Sequence, residues 1–187
     1  MPARPDVAAT RVALSPLTAP AVRKSPLGLL APGGRVLVGL IQRMLRTLSR
    51  VVPRRADRWV FASRADAYVD NPRFLFEHVA DHHHEISAVW VSGDDAVVDR
   101  VRGEGRSAAR RWSISGIWST LRAGVAVYAF DVADVNVALT GGTVGVNLYH
   151  GIPLKQIEND ITVGSARRIY HPRTLADRLR AATVYYP

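Results

Sequence analysis

A chain of 187 residues, 48% apolar with a mean hydropathy of +0.00, is long enough to bury one core and too short for two full nucleotide-binding domains. The absence of cysteine excludes disulfides, thiol chemistry and zinc-finger ligation and fits an intracellular setting, and no apolar run is long enough to cross a bilayer. The formal charge of +9 is lopsided, because residues 1–58 hold 11 Lys and Arg against 2 Asp and Glu while the remainder holds 14 of each sign.

Residues 1–33 carry scattered prolines and no apolar period, and they read as a disordered leader without the continuous apolar core of a secretory signal. Over 34–57 the pattern changes. Leu37, Leu40, Ile41 and Leu48 recur at helical spacing with Val36, Met44 and Leu45, while Arg35, Arg43, Arg46 and Arg50 fall mainly elsewhere on the wheel. This predicts a cationic amphipathic helix closed by Pro53, with Arg54 and Arg55 adding charge beyond it. Apolar side chains in the acyl boundary and guanidinium groups on anionic headgroups would suit such a helix, and packing on a protein core is its other use.

A domain is expected over 58–187. Stretches at 58–63, 86–92, 107–112, 125–130 and 144–149 read as strands, and 71–83, 94–103, 114–123 and 153–159 as helices. That alternation predicts an α/β, Rossmann-like fold with a mostly parallel sheet and right-handed crossovers. Its ligand crevice should lie at the carboxyl ends of the strands, where the Ser63–Asp70 loop and the Tyr149–Lys155 turn would fall. The Gly-Gly-Thr-Val-Gly run at 141–145 precedes a strand, so it reads as a turn and not as a phosphate loop. His82, His83 and His84 are consecutive and would fan outward, so no metal site is expected. Trp112 and Trp118 read as packing anchors.

Two stretches carry a family resemblance. Trp-Val-Phe-Ala-Ser-Arg-Ala-Asp-Ala-Tyr-Val-Asp-Asn-Pro-Arg-Phe-Leu-Phe-Glu-His-Val, at 59–79, and Asn-Leu-Tyr-His-Gly-Ile-Pro-Leu-Lys-Gln-Ile-Glu-Asn-Asp, at 147–160, resemble the CDP-glycerol glycerophosphotransferase family. These are the enzymes that prime and polymerise poly(glycerol phosphate) wall teichoic acid. The second stretch resembles the family's Trp-His-Gly, small, Pro, x-Lys signature, with Tyr149 standing where the tryptophan is usual. In the first, Ser63-Arg64-Ala65-Asp66 stands where the family usually has a glycine-containing loop.

The residues of the second stretch also make chemical sense by themselves. A strand ending at Tyr149 delivers His150 to the sheet edge, Gly151 permits close approach of a ligand, and Pro153 suits a first helical turn. A helix N-terminus and Lys155 supply positive potential for a phosphate. An imidazole there can take a hydroxyl proton. Asp160 is a weaker candidate for the same site, and Asn71, before Pro72, reads as an N-cap that shapes the site without touching substrate.

The resemblance implies the acceptor-side, N-terminal half of a two-domain GT-B-type architecture, with the nucleotide-binding half outside the matched stretch. It implies a CDP-glycerol or related CDP-polyol donor and a lipid-linked polyol-phosphate or glycan acceptor, with His150 as catalytic base. The expected location is peripheral, on the cytoplasmic face of an anionic membrane, with no cofactor. The alternative is a membrane- and acceptor-binding module that works with a separate nucleotide-binding subunit. Nucleic acid is not expected as a partner, since the part outside the basic segment is charge-neutral and lacks basic-aromatic interleaving.

Overall fold

The computed structural model describes residues 32–149, 160–163 and 167–181. Five strands, β1 (Arg55–Phe61), β2 (Ser87–Ser92), β3 (Ala108–Arg110), β4 (Ala123–Tyr128) and β5 (Val144–Asn147), form one sheet in the order β3-β2-β1-β4-β5, and every pairing is parallel. The helices are α1 (Pro32–Ser49), α2 (Asp70–His82), α3 (Asp95–Gly103), α4 (Ile114–Arg122), α5 (Arg167–Tyr170) and α6 (Leu175–Ala181). All five expected strands are present, within a few residues of their expected ends. The 153–159 helix lies outside the described residues. The short α5 and α6 were not foreseen.

The strand order explains where the helices go. The chain steps from β1 to β2 to β3 in one direction, with α2 and α3 as crossovers, and then returns through α4 to place β4 on the other side of β1. Right-handed crossovers in opposite directions put their helices on opposite faces. Side-chain alternation along the strands matches this arrangement. Phe61 and Trp90 join Phe76 and Val79 of α2 and Val98 and Val101 of α3 in one core cluster, whereas Val60, Val91 and Ala126 join Val132 and Val135 in the other. Near-continuous apolar strands follow from burial on both faces.

The first core is aromatic. Phe76 lies 5.3 Å from Phe61 and 5.5 Å from Trp90, and Tyr68 meets Trp90 edge-on at 4.8 Å. On the second face α4 offers its small side: Gly116 and Thr120 are its buried residues, and a Cβ on Gly116 would stand 2.0 Å from the carbonyl oxygen of Arg110. The helix therefore lies close on the sheet by its small face, with Ile117 and Leu121 half-buried at its flanks and Ile114 and Trp118 turned outward. Trp118 is 57% exposed for that reason, and Trp112, just before the helix, is 65% exposed, so neither is the packing anchor expected.

α1 is joined to the domain at its C-terminal end. Ser49 is buried and its hydroxyl accepts from the Gly141 N–H, while the Arg46 guanidinium donates to Thr140 Oγ1. Gly141 approaches the helix so closely that any Cβ would collide with the Arg46 carbonyl. Arg54 completes the joint. Its guanidinium donates to the carbonyls of Ser49, Leu139 and Gly141 and to those of Thr120 and Leu121 at the end of α4. Of these, the Ser49 and Thr120 carbonyls also accept from the N–H groups of Val52 and Ala123, and the guanidinium adds a second donor at the two helix ends. Burial, helped by the neighbouring Arg46, pushes the Arg54 guanidinium below its usual range. The sequence placed Arg54 and Arg55 with the headgroup-facing charge, but Arg54 is spent inside the domain and Arg55 pairs with Asp57 at 2.6 Å.

Candidate functional site

Strand order reverses between β1 and β4, and in an open parallel sheet that switch point, at the carboxyl ends of the strands, is where ligands bind. Two loops flank it, residues 62–69 after β1 and 129–136 after β4. β5, which runs toward the His150 stretch, lies beside β4. The carboxyl ends of β1, β4 and β5 thus bring together both segments that the sequence singled out.

The loop after β1 holds a backbone normally left to glycine. Ala65, Asp66 and Asp70 have φ of 56°, 62° and 64°, in the left-handed region that costs side-chain-bearing residues free energy. Asp66 compensates. Its carboxylate accepts from the Gly93 N–H at 2.7 Å and from Arg111, its carbonyl accepts from Ser92 Oγ, and Arg111 also donates to the Asp134 carbonyl. One ion pair therefore ties together the loops after β1, β2, β3 and β4. A Cβ at Gly93 would sit 2.8 Å from the Asp66 carboxylate and would push it off its bond to the Gly93 N–H. Asp134 receives the N–H groups of Phe130 and Asp131, and its burial pushes its carboxyl above the usual range. Arg64, at the tip of the loop after β1, stacks over the ring of Phe130 at 5.5 Å and so spans the crevice mouth.

The exit of β5 is held from every side. Leu148 N–H donates to the Tyr128 carbonyl, and Tyr149 N–H donates to Asn147 Oδ1, whose amide in turn donates to the Phe130 carbonyl. Asn71 Nδ2 donates to the carbonyls of Leu148 at 3.1 Å and Tyr149 at 2.9 Å. Every backbone donor and acceptor of residues 148 and 149 is thereby satisfied. Tyr149, immediately before His150, holds φ at 52°, a conformation that persists where the surroundings over-determine it.

Asn71 was expected to cap α2, and it does not. The N-cap is Val69, with no side-chain cap, and the carboxamide instead reaches across the crevice to the β5 exit. Sequence offers no direct signal for this, since Asn before Pro has the same appearance in either use. Asp160 is exposed. His150, Gly151 and Lys155 lie outside the described residues. Of the α1 candidates, Leu37, Leu40, Ile41 and Leu48 are exposed, as are Arg43 and Arg50, whereas Arg46 is turned to Thr140. The side chain of Arg35 falls outside what is described. Asp66, Arg111 and Asn147 organise the crevice and were not singled out; Asp66 and Asn147 lie inside the two family segments, but the long-range partners that give them their roles leave no mark in sequence. Among the described residues no group of three or more His, Asp or Glu could hold a metal, and no helix is long and apolar enough to cross a membrane.

No curated protein matches the sequence closely enough to count as a relative. Among solved structures, a variant of the wall teichoic acid polymerase TagF soaked with CDPG is similar over 80% of this chain, at 17% identity and a TM-score of 0.52. A second TagF structure covers the same 80% at 17% identity and a TM-score of 0.49. The chain spans 37% of the length of the polymerase chains it matches. At such identity the first likeness speaks for the fold, and it agrees with the parallel, Rossmann-like sheet. The model of the family described as CDP-Glycerol:Poly(glycerophosphate) glycerophosphotransferase matches residues 44–184. That match takes in both singled-out segments and more than half of the sequence, and the chain belongs to the CDP-glycerol:poly(glycerophosphate) glycerophosphotransferase family.

Proposed function

We propose that this chain forms the acceptor side of a glycerophosphotransferase that moves glycerol phosphate from CDP-glycerol, or a related CDP-polyol, to a membrane-linked polyol-phosphate or glycan acceptor in teichoic-acid-type polymer synthesis. The observation that carries the reading is the locked exit of β5. Asn71, Asn147 and the Tyr128 carbonyl hold residues 148 and 149 at the switch-point crevice, in the segment that bears the family's histidine. His150 takes the proton of the attacking acceptor hydroxyl. That oxygen forms a bond to the β-phosphorus, the bond from the β-phosphorus to the bridging oxygen breaks, and CMP leaves. In this reading Gly151 would leave room for the phosphate, Lys155 would supply positive charge to it, and Asp160 is the weaker candidate for the same role.

The membrane part of the proposal rests on α1. Its stripe of Leu37, Leu40, Ile41, Met44, Leu45 and Leu48 is 41–59% exposed, and residues 32–56 contain no acidic side chain. Such a helix lies in the interface of an anionic bilayer, here on the cytoplasmic face. Arg43 and Arg50 are its headgroup contacts, with Arg35 at its opposite end.

The test is transfer of radiolabelled glycerol phosphate from CDP-glycerol to a lipid-linked acceptor in anionic vesicles, comparing the chain with its His150→Ala variant. Transfer that is lost in the variant supports a transferase with His150 as base. Transfer that appears only when a separate nucleotide-binding protein is added supports the same site as one half of a two-subunit enzyme. Equal transfer by both forms would sink the assignment of His150.

A further inference from the structure

α4 carries a second exposed apolar face. Ile114 and Trp118 are one helical turn apart, with exposures of 89% and 57%, and Trp112 just before the helix is 65% exposed. Arg122 is one further turn along, its guanidinium 5.7 Å from the Trp118 ring. Spacing of four puts Ile114, Trp118 and Arg122 on one stripe, opposite the buried Gly116 and Thr120. No acidic residue occurs from Gly105 to Phe130. An indole with a guanidinium beside it, on an acid-free surface, is suited to the headgroup level of an anionic bilayer, where the ring enters the apolar boundary and the cation remains with the phosphates.

α4 is also fixed to α1. Arg54 donates to the last carbonyls of α4 and to the Ser49 carbonyl at the end of α1, so the helices that carry the two exposed faces are joined at their ends. α4 runs from the carboxyl end of β3 back to the amino end of β4. Trp112 therefore stands at the crevice rim of the sheet, and Arg122 at the rim where α1 joins.

We infer that α4 is a second membrane anchor, with Trp112 and Trp118 inserted into the interface of an anionic bilayer, so that the domain sits on the membrane by two helices with the crevice rim held near the surface. The inference rests on the membrane reading of α1 and adds to it a fixed orientation. Two helices joined at their ends constrain the tilt of the domain as one helix alone does not.

The tryptophans supply the test. The chain has four. Trp90 is fully buried and Trp59 is partly buried in the aromatic core, and α1 has none. Vesicles of phosphatidylglycerol and phosphatidylcholine carrying bromine on their acyl chains should quench the emission of the wild-type chain and leave that of Trp112→Ser/Trp118→Ser unquenched. The double variant should bind the same vesicles roughly tenfold or more weakly, as loss of buried aromatic area requires, with an unchanged melting temperature because both side chains are exposed. Wild-type binding that is lost in Leu40→Glu/Met44→Glu, with no quenching of Trp112 or Trp118, overturns the α4 anchor and leaves the α1 reading standing. No binding to anionic vesicles at all overturns both. Sedimentation showing self-association of the wild type that the double serine variant abolishes, without quenching, assigns the face to a second copy of the chain and also overturns the inference.

Discussion

Asn71 Nδ2 lies 2.9 Å from the Tyr149 carbonyl and 3.1 Å from that of Leu148, so the second residue of α2 fixes the backbone leaving β5, 77 and 78 positions away in sequence. The contact unites the two family segments in one geometric unit. Removing the amide in Asn71→Ala should cost about 1–2 kcal/mol, the worth of one or two net hydrogen bonds. The larger effect should be local, with the Tyr149 amide exchanging with solvent much faster while the β1 and β4 amides remain protected. Asn71→Asp should behave worse than Asn71→Ala, because a carboxylate cannot donate and would face two carbonyl oxygens. Unchanged exchange at Tyr149 in either variant would show that the remaining bonds suffice.

The Arg54 joint gives a sharper prediction. Arg54→Lys keeps a cation but loses the planar fork that reaches carbonyls on three segments. Several buried carbonyls would be left without donors at once, and a loss of about 3 kcal/mol or more is expected in urea denaturation. Gly141→Ala should strike the same joint by steric means, since its Cβ would meet the Arg46 carbonyl. A lysine variant as stable as wild type would show that water replaces the fork.

Tyr68 links stability to high pH. Burial, with the hydrogen bond to Glu77, pushes its phenol up to about 12 from an ordinary 10.0. The folded chain therefore favours the protonated phenol. That contribution is fully present below pH 10 and is lost as pH rises through about 12. Wild type should lose stability across this window faster than Tyr68→Phe, which has no phenol to ionise. Parallel denaturation curves for the two forms from pH 9 to 12, on the order of the window set by the shift, would contradict the assignment.

The Asp66–Arg111 pair should matter more than a surface ion pair. Asp66→Asn leaves the partly buried guanidinium of Arg111 without its carboxylate and weakens the bond to the Gly93 N–H. A cost of roughly 2 kcal/mol is expected, above the usual value for exposed pairs. Ala65 and Asp66 would then lose what holds them at positive φ. Asp66→Gly relieves that strain and still loses the ion pair, so it separates the two contributions by comparison with Asp66→Asn.

Much of the fold was legible because its signals are local. Trp-Val-Phe at 59–61, Ala-Val-Trp-Val at 88–91 and Ala-Val at 126–127 are buried on both sheet faces, and such strands show themselves as apolar runs. The helices between them reveal their period for the same reason. The α1 stripe was readable, but the use of Arg54 was not, because a cation that serves carbonyls has the same sequence signature as one that serves phosphates. Trp112 and Trp118 misled in the opposite sense. Large apolar residues usually pack inward, but α4 is held on the sheet by Gly116 and Thr120, and a small buried face leaves no space for indoles. At the site, the strand that leads to His150 was foreseen from the residues around it, whereas its fixation by Asn71 and Asn147 depends on pairings that only the folded chain creates.

Arg54 grips backbone oxygens and not side chains. Ser49, Leu139, Gly141, Thr120 and Leu121 each contribute a carbonyl, a group that every amino acid possesses. Gly141 is constrained by space, and Ser49 and Thr120 by burial and by hydroxyl partners of their own, but Leu121 and Leu139 can change identity without disturbing the bonds that Arg54 makes. The junction between the amphipathic helix and the domain is therefore indifferent to side-chain identity at two of its carbonyl positions and wholly dependent on a single residue on the other side. Substitutions can retune the exposed surfaces of both helices while the bonds that join the helices stay the same.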